Sequence, residues 1–201
     1  MRRETLLVMA LLAGIAGRLP AQATQTPSFN APYRAFTRSE FGGTISFPRG
    51  ANVGLEGQYR FGYQKFDVGA RGGFIDNGGT AGTAFIVGAE ARTRVFTHTE
   101  QVPLDGAVVV GLGGNFLSGS SAAIMLGGLS LGRRVDPKDT QVSIVPYGEP
   151  TIFIKSGGGT TDLNFALGLG ADLRLSKVFD LRASVGLGRI RGAAFSAVWV
   201  H

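Results

Sequence analysis

The chain has 201 residues, with 20 lysines and arginines, 14 aspartates and glutamates, and no cysteine. The lack of cysteine excludes disulfides and thiolate metal sites. The mild positive charge includes no long basic run, which argues against a nucleic-acid-binding arm. Glycine is abundant, at 32 residues, but it has no triplet period, so a collagen-like structure is excluded as well.

The N-terminal residues have the three parts of a secretory signal. Arg2 and Arg3 precede an apolar run over 5–17, and Ala21-Gln22-Ala23 is typical of a cleavage site. The run is too short to span a bilayer, which takes about 20 apolar residues. We predict a signal peptide over residues 1–23 and an exported chain that begins at Thr24.

Residues 24–35 are polar and contain proline. We predict that they form a periplasmic N-terminal lead, followed by a barrel domain over 36–201. Without the signal, 17 basic and 13 acidic residues remain, a net charge of +4. The remaining length fits one domain.

From residue 36 onward, apolar residues alternate with glycine, small or charged residues, which is the period of a β-strand. Turn signals such as Asp76-Asn-Gly-Gly79 separate these runs. We predict an all-β fold, a closed antiparallel up-and-down transmembrane barrel of about ten strands, with eight as the alternative count. The predicted spans are 36–47, 51–61, 65–75, 82–97, 105–117, 121–135, 141–155, 161–175, 179–189 and 193–200.

The polar face of these strands is rich in small residues and in charges of both signs, which suits a narrow interior better than a wet surface. The triplet Gly-Leu-Gly occurs at 111–113, 168–170 and 186–188, and each copy places its glycines inward. Buried charges need partners, so we expect a paired network in the lumen. Its predicted members are Glu40, Glu56, Arg60, Asp67, Arg71, Glu90, Arg92, Arg94, Glu149, Asp172, Arg174 and Arg182.

Aromatic residues of the apolar face gather near the two ends of the strands, as in the girdles of membrane barrels. One predicted girdle contains Phe47, Phe74, Phe85, Phe116 and Phe165. The other contains Tyr59, Phe61, Phe66, Phe179 and Trp199.

With these features the chain resembles the small outer-membrane β-barrels of Gram-negative bacteria, the OmpA-like and opacity-protein-like group. The segment Leu163-Asn-Phe-Ala-Leu-Gly-Leu-Gly-Ala-Asp-Leu-Arg-Leu-Ser-Lys-Val-Phe-Asp-Leu-Arg-Ala183 looks like a strand, tight periplasmic turn and strand of that group. The resemblance implies an outer-membrane location and insertion by the barrel-assembly machinery, usually guided by a C-terminal aromatic. This chain ends Ala197-Val-Trp-Val-His201, with histidine in the last position.

Three functions are compatible with this sequence. The first is a non-enzymatic, monomeric barrel with a structural or surface role, in contact with membrane lipid and with lipopolysaccharide through a basic rim. The second is a small porin-like channel, although a barrel of this size has little room beyond its own side chains. The third is a lipid-modifying enzyme. We expect no enzyme, because His98 falls in a predicted turn and His201 is the last residue.

No cofactor is expected either. Val110-Gly-Leu-Gly-Gly-Asn-Phe116 begins like a dinucleotide fingerprint, but phenylalanine stands at its last glycine position and no helix follows. No calcium-loop spacing is present.

Overall fold

A computed structural model of the chain describes residues 23–32, 38–138, 140 and 142–201. The predicted signal peptide lies outside the described residues except for Ala23. Residues 33–35 of the predicted periplasmic lead also lie outside them.

Ten antiparallel strands form one closed barrel, in which sequence neighbours pair and the first strand pairs with the last. The predicted all-β, up-and-down barrel of ten strands is therefore confirmed, and the alternative count of eight is wrong. The strands are β1 (Glu40–Pro48), β2 (Val53–Tyr63), β3 (Phe66–Asp76), β4 (Thr83–Phe96), β5 (Asp105–Leu117), β6 (Ser120–Gly132), β7 (Ser143–Gly157), β8 (Thr160–Arg174), β9 (Phe179–Gly188) and β10 (Gly192–Val200). A 3-10 turn, Gly79–Ala81, connects β3 and β4. Within the described part of the chain, no helix is long and apolar enough to cross a membrane.

Strand bounds differ from the prediction around β6 and β7 and at the start of β1. β6 ends at Gly132 and β7 begins at Ser143, so a longer loop separates them than expected. The register between the two strands also skips the positions opposite Pro150, because proline has no N–H to donate to the ladder. In β1, residues 38 and 39 are not in a strand, and the strand begins at Glu40.

The barrel has its apolar side chains outside and its polar side chains inside. In β2, Glu56, Gln58 and Arg60 are buried, whereas their neighbours along the strand are exposed. Arg60 is only 2% exposed, while Leu112 on the outer face is 64% exposed. This order is the reverse of a water-soluble core.

The barrel has two distinguishable ends. We call the end where β1 begins and β10 ends the proximal end, and the opposite end the distal end. Hairpin turns at 49–52, 77–82, 118–119, 158–159 and 189–191 form the distal end. Loops at 64–65, 97–104, 133–142 and 175–178 belong to the proximal end.

A glycine in β3 allows a test of how closely β2 and β3 pack. A Cβ atom at Gly73 would lie 1.9 Å from the Leu55 carbonyl oxygen of β2, whereas one at Gly57 would meet nothing within 4 Å. We expect Gly73→Ala to lower the free energy of unfolding by about 1–3 kcal/mol or more, because the backbone must move. The matched Gly57→Ala variant should change it by less than about 0.5 kcal/mol.

Urea unfolding of the refolded protein in detergent micelles measures both values. Equal effects of the two substitutions would contradict the packing of β2 against β3.

Candidate functional site in the barrel lumen

One ionic cluster lies on the lumen side of β2, β3 and β4. The Arg60 guanidinium donates to Asp67, with Nε 2.9 Å from Oδ1, and to Glu90, with Nη1 3.1 Å from Oε2. Arg92 donates to the other Asp67 oxygen at 3.1 Å. Arg71 lies 3.8 Å from Glu90. All five side chains are buried, so every charge has an opposite charge beside it, as burial requires.

A second cluster joins β1, β8 and β9. Arg182 donates to both oxygens of Glu40, at 3.0 Å and 2.7 Å, and its Nε lies 3.2 Å from Asp172. Asp172 and Arg182 are also cross-strand partners, as are Arg174 and Asp180 in the next row. Opposite charges on facing strands stabilise the pairing.

The structure places ten of the twelve predicted lumen charges in buried positions inside the barrel. Arg174 is half-buried near Asp180, and Arg94 is exposed at the end of β4, where a register shift ends the alternation. Asp180 is fully buried, although it is not among the predicted network members. On β9 it lies on the face opposite to that of its neighbour Leu181, which indicates the lumen. Among the described residues, eight acidic side chains but only four arginines are buried.

The predicted girdle residues lie on the outer face. Phe74, Phe85 and Phe116 form a row across β3, β4 and β5, with ring centroids 5.5 Å and 6.3 Å apart. Toward the proximal end, Trp199 packs against Phe179, with centroids 5.0 Å apart. Trp199 also stacks on Phe41 at 5.7 Å, a residue outside the two predicted girdles. The other predicted members that are exposed on this face are Phe47, Phe165, Tyr59, Phe61 and Phe66.

The described part of the N-terminal lead lies inside the barrel, in contrast to the periplasmic position expected for residues 24–35. Ala23 and residues 24, 26 and 28–31 are all buried. Near the distal end, the Gln25 side-chain oxygen accepts a hydrogen bond from Lys155 Nζ at 3.0 Å. Toward the proximal end, the Ala31 carbonyl accepts from Arg92 at 3.1 Å. We call residues 24–32 the luminal segment.

Five successive carbonyl groups of the luminal segment accept hydrogen bonds from the barrel wall. The pairs are Pro27 with Ser184 (2.6 Å), Ser28 with Arg71 (3.0 Å), Phe29 with Tyr147 (2.8 Å), Asn30 with Ser130 (2.8 Å) and Ala31 with Arg92 (3.1 Å). The donors come from five different strands. The Asn30 backbone N–H donates to Glu149 in return. The segment is therefore held from several sides of the lumen.

Glycines on the lumen face make room for the luminal segment. A Cβ atom at Gly168 would lie 2.2 Å from the Phe29 ring, and one at Gly113 would lie 2.1 Å from the Ala23 carbonyl oxygen. Both glycines belong to Gly-Leu-Gly triplets. The inward glycines of these triplets thus have a packing role that the sequence pattern alone does not reveal.

A polar cavity of about 290 Å³ opens at the distal end. Its lining includes four basic side chains and one acidic side chain: Arg49, Lys155, Arg189, Arg191 and Asp162. Gln25 of the luminal segment also lines this cavity.

The two histidines lie at the proximal end. The His98 backbone N–H donates to Asp105 at 2.9 Å, and the half-exposed ring lies 3.3 Å from the same carboxylate, which fastens the β4–β5 loop. The His201 ring lies beside Phe41 on the outer face. Within the described ranges, no group of three or more histidine, aspartate or glutamate side chains is arranged to hold a metal ion.

In the β6–β7 loop, Asp136 accepts hydrogen bonds from the Ser143 hydroxyl at 2.5 Å and from Arg134 Nε at 2.6 Å. These two donors hold the pKa of Asp136 below its ordinary value. The contribution of these hydrogen bonds to the folding stability is present above the ordinary pKa of a carboxylate. It is lost as the pH falls through the lowered pKa of Asp136.

No protein-family model matches the chain, and no curated protein matches it. Among solved structures, a chain described under "De novo design of transmembrane beta-barrels" is similar, with a TM-score of 0.43 and 14% sequence identity. The match covers 84% of this chain and 98% of that chain.

A double-mutant cycle tests the contact between the luminal segment and the wall. Gly168→Ala should destabilise the barrel by about 1–3 kcal/mol, because its methyl group overlaps the Phe29 ring. Phe29→Ala alone should also destabilise it, because a buried ring is lost. The double variant should lose less than the sum of the two, since the smaller residue 29 leaves room for the new methyl group. Strict additivity in urea unfolding would contradict the contact.

The second ionic cluster gives a further prediction. Arg182→Met should lower the free energy of unfolding by about 3–5 kcal/mol, because it leaves Glu40 and Asp172 buried without their cation. Arg49→Met, at an exposed turn, is the control and should change it by less than about 0.5 kcal/mol. A change at Arg182 as small as that at Arg49 would show that the cluster is hydrated.

Proposed function

We propose that this protein is a non-enzymatic, monomeric barrel that spans the outer membrane and has a structural or surface-interaction role. The observation that carries the proposal is the inversion of polarity across the wall. Large apolar side chains such as Leu112 and Met125 are about two-thirds exposed, while arginines and carboxylates are buried inside. Apolar patches of this extent are unfavourable in water, and a lipid bilayer covers them.

Two further features support a membrane-spanning arrangement. The ten strands pair around a closed barrel, so no sheet edge is left in contact with lipid. The outer face has aromatic rings near both ends of the strands, with Phe74 and Phe85 distally and Trp199 and Phe179 proximally. Rings at these levels are suited to the two interfaces of a bilayer.

The filled lumen favours this role over a porin-like channel. Ion-paired side chains fill the wall side of the interior, and the luminal segment occupies the space between them. An anion-selective pore is further disfavoured, because carboxylates outnumber arginines among the buried charges of the described residues. We expect planar-bilayer recordings of the refolded protein to show no conductance above leak.

The export route follows from the N-terminal signal and from the resemblance to small outer-membrane barrels. We propose cleavage after Ala23, insertion by the barrel-assembly machinery and contact with membrane lipid over the girdles.

Membrane fractionation followed by heat-modifiability on a gel tests this proposal. The protein should be recovered with the outer membrane and should migrate differently before and after boiling, because a closed barrel resists detergent until it is heated. Recovery in the soluble fraction, with no such shift, would refute it.

The basic distal cavity favours contact with the phosphates of lipopolysaccharide. Arg189 and Arg191 lie in the β9–β10 turn, and both line this cavity. Clustered cations of this kind attract anionic headgroups.

Reversal of these charges tests the contact. The double variant Arg189→Glu and Arg191→Glu should bind lipopolysaccharide at least about ten-fold more weakly, because two attractions become repulsions. The matched control reverses Lys138 and Lys177, which lie in proximal loops. If both double variants bind alike in a sedimentation assay with lipopolysaccharide, the distal site is not the contact.

A further inference from the structure

We propose that the lumen is a binding site for a peptide, and that the luminal segment is its exchangeable occupant. The inference goes beyond the structural role proposed above. It rests on how the wall contacts residues 24–32, and not on where the barrel is located.

The wall recognises mainly the backbone of the segment. The carbonyl oxygens of residues 27–31 each accept a hydrogen bond from a side chain of the wall. The Phe29 backbone N–H donates to the Ser184 hydroxyl at 3.3 Å. Ser184 thus contacts both a carbonyl and an N–H of the segment. Every peptide carries these groups, so most of the contacts do not depend on a particular sequence.

Three side-chain contacts add preference at fixed positions. The Thr26 hydroxyl donates to Glu56 at 2.6 Å, and Arg182 donates to the Asn30 side-chain oxygen at 3.2 Å. The Phe29 ring lies against Gly168, which has no side chain to exclude it. The preferred ligand is therefore a peptide with a hydroxyl residue three positions before an aromatic residue, and with asparagine directly after the aromatic.

Exchange is feasible because the luminal segment takes no part in the wall. The ten strands close the barrel by pairing with one another, and residues 23–32 belong to no strand. The arginines that hold the segment also have acidic partners, with Arg92 bonded to Asp67 and Arg182 to Glu40. Removal of the segment thus leaves the barrel closed and these two arginines paired, with backbone-binding donors available to another peptide.

A chain that begins at residue 33 tests the proposal against the chain that begins at Thr24, both refolded in detergent micelles. The probe is a fluorescein-labelled synthetic peptide with the sequence of residues 24–32. The shortened barrel should bind it with one-to-one stoichiometry in an anisotropy titration. The longer chain should not bind it, because its site is occupied.

Two peptide controls identify the contacts. The Phe29→Ala peptide should bind about ten-fold or more weakly, because the ring's burial is lost. The all-D peptide has the same composition but misplaces its carbonyl groups, and it should not bind. Equal binding of the D-peptide, equal binding to the longer chain, or no binding to a heat-modifiable shortened barrel would each overturn the proposal.

A second form of the protein covers the case in which the shortened chain does not fold. A protease site inserted between Pro32 and Arg38 is cut after the longer chain has folded around its own segment. The labelled peptide should then exchange into the cut barrel and not into the uncut one. A cut barrel that never takes up the peptide would refute exchange. Membrane fractionation and lipopolysaccharide binding are unaffected by either result, so the proposed function is tested separately.

Discussion

The constraint on which the structure depends is that polar groups inside the barrel must find their partners inside it. The outer face of the strands is mostly apolar, so a charge in the middle of a strand finds no partner there. Arg60 therefore lies between Asp67 and Glu90, and Arg182 lies beside Glu40 and Asp172. The same constraint applies to the luminal segment. Its carbonyl groups accept hydrogen bonds from wall donors that would otherwise bind water.

Room for this interior comes from glycine. A closed barrel of ten strands is narrow, and a segment of chain fits only where the wall has no side chains. Gly168 admits the Phe29 ring, and Gly113 admits the backbone at Ala23. The high glycine content thus reflects the contents of the lumen as well as the curvature of the sheet. This also explains why the channel hypothesis and the filled-interior hypothesis look alike in the sequence.

Alternation predicted the strand number, the hairpin order and the inward charges, because the two faces of a strand follow directly from its geometry. It did not predict the position of Arg94, where a register shift breaks the period, or the bounds of the loop between β6 and β7. Residues 24–32 were predicted to lie in the periplasm. A polar segment suits water and a polar lumen equally well, so composition alone does not distinguish the two positions. Only the inward glycines, which leave space on the wall, were a signal for an occupant.

The central claim, that the outer face contacts hydrocarbon, has a direct test, since the chain contains no cysteine to interfere with labelling. Leu112→Cys lies on the outer face of β5 and Leu104→Cys in a proximal loop, and both leucines are exposed. Spin labels at the two sites, in protein inserted into liposomes, report their collisions with oxygen and with an aqueous nickel chelate. The label at 112 should favour oxygen and the label at 104 should favour nickel. A label at 112 that meets nickel as often as the label at 104 would contradict the account.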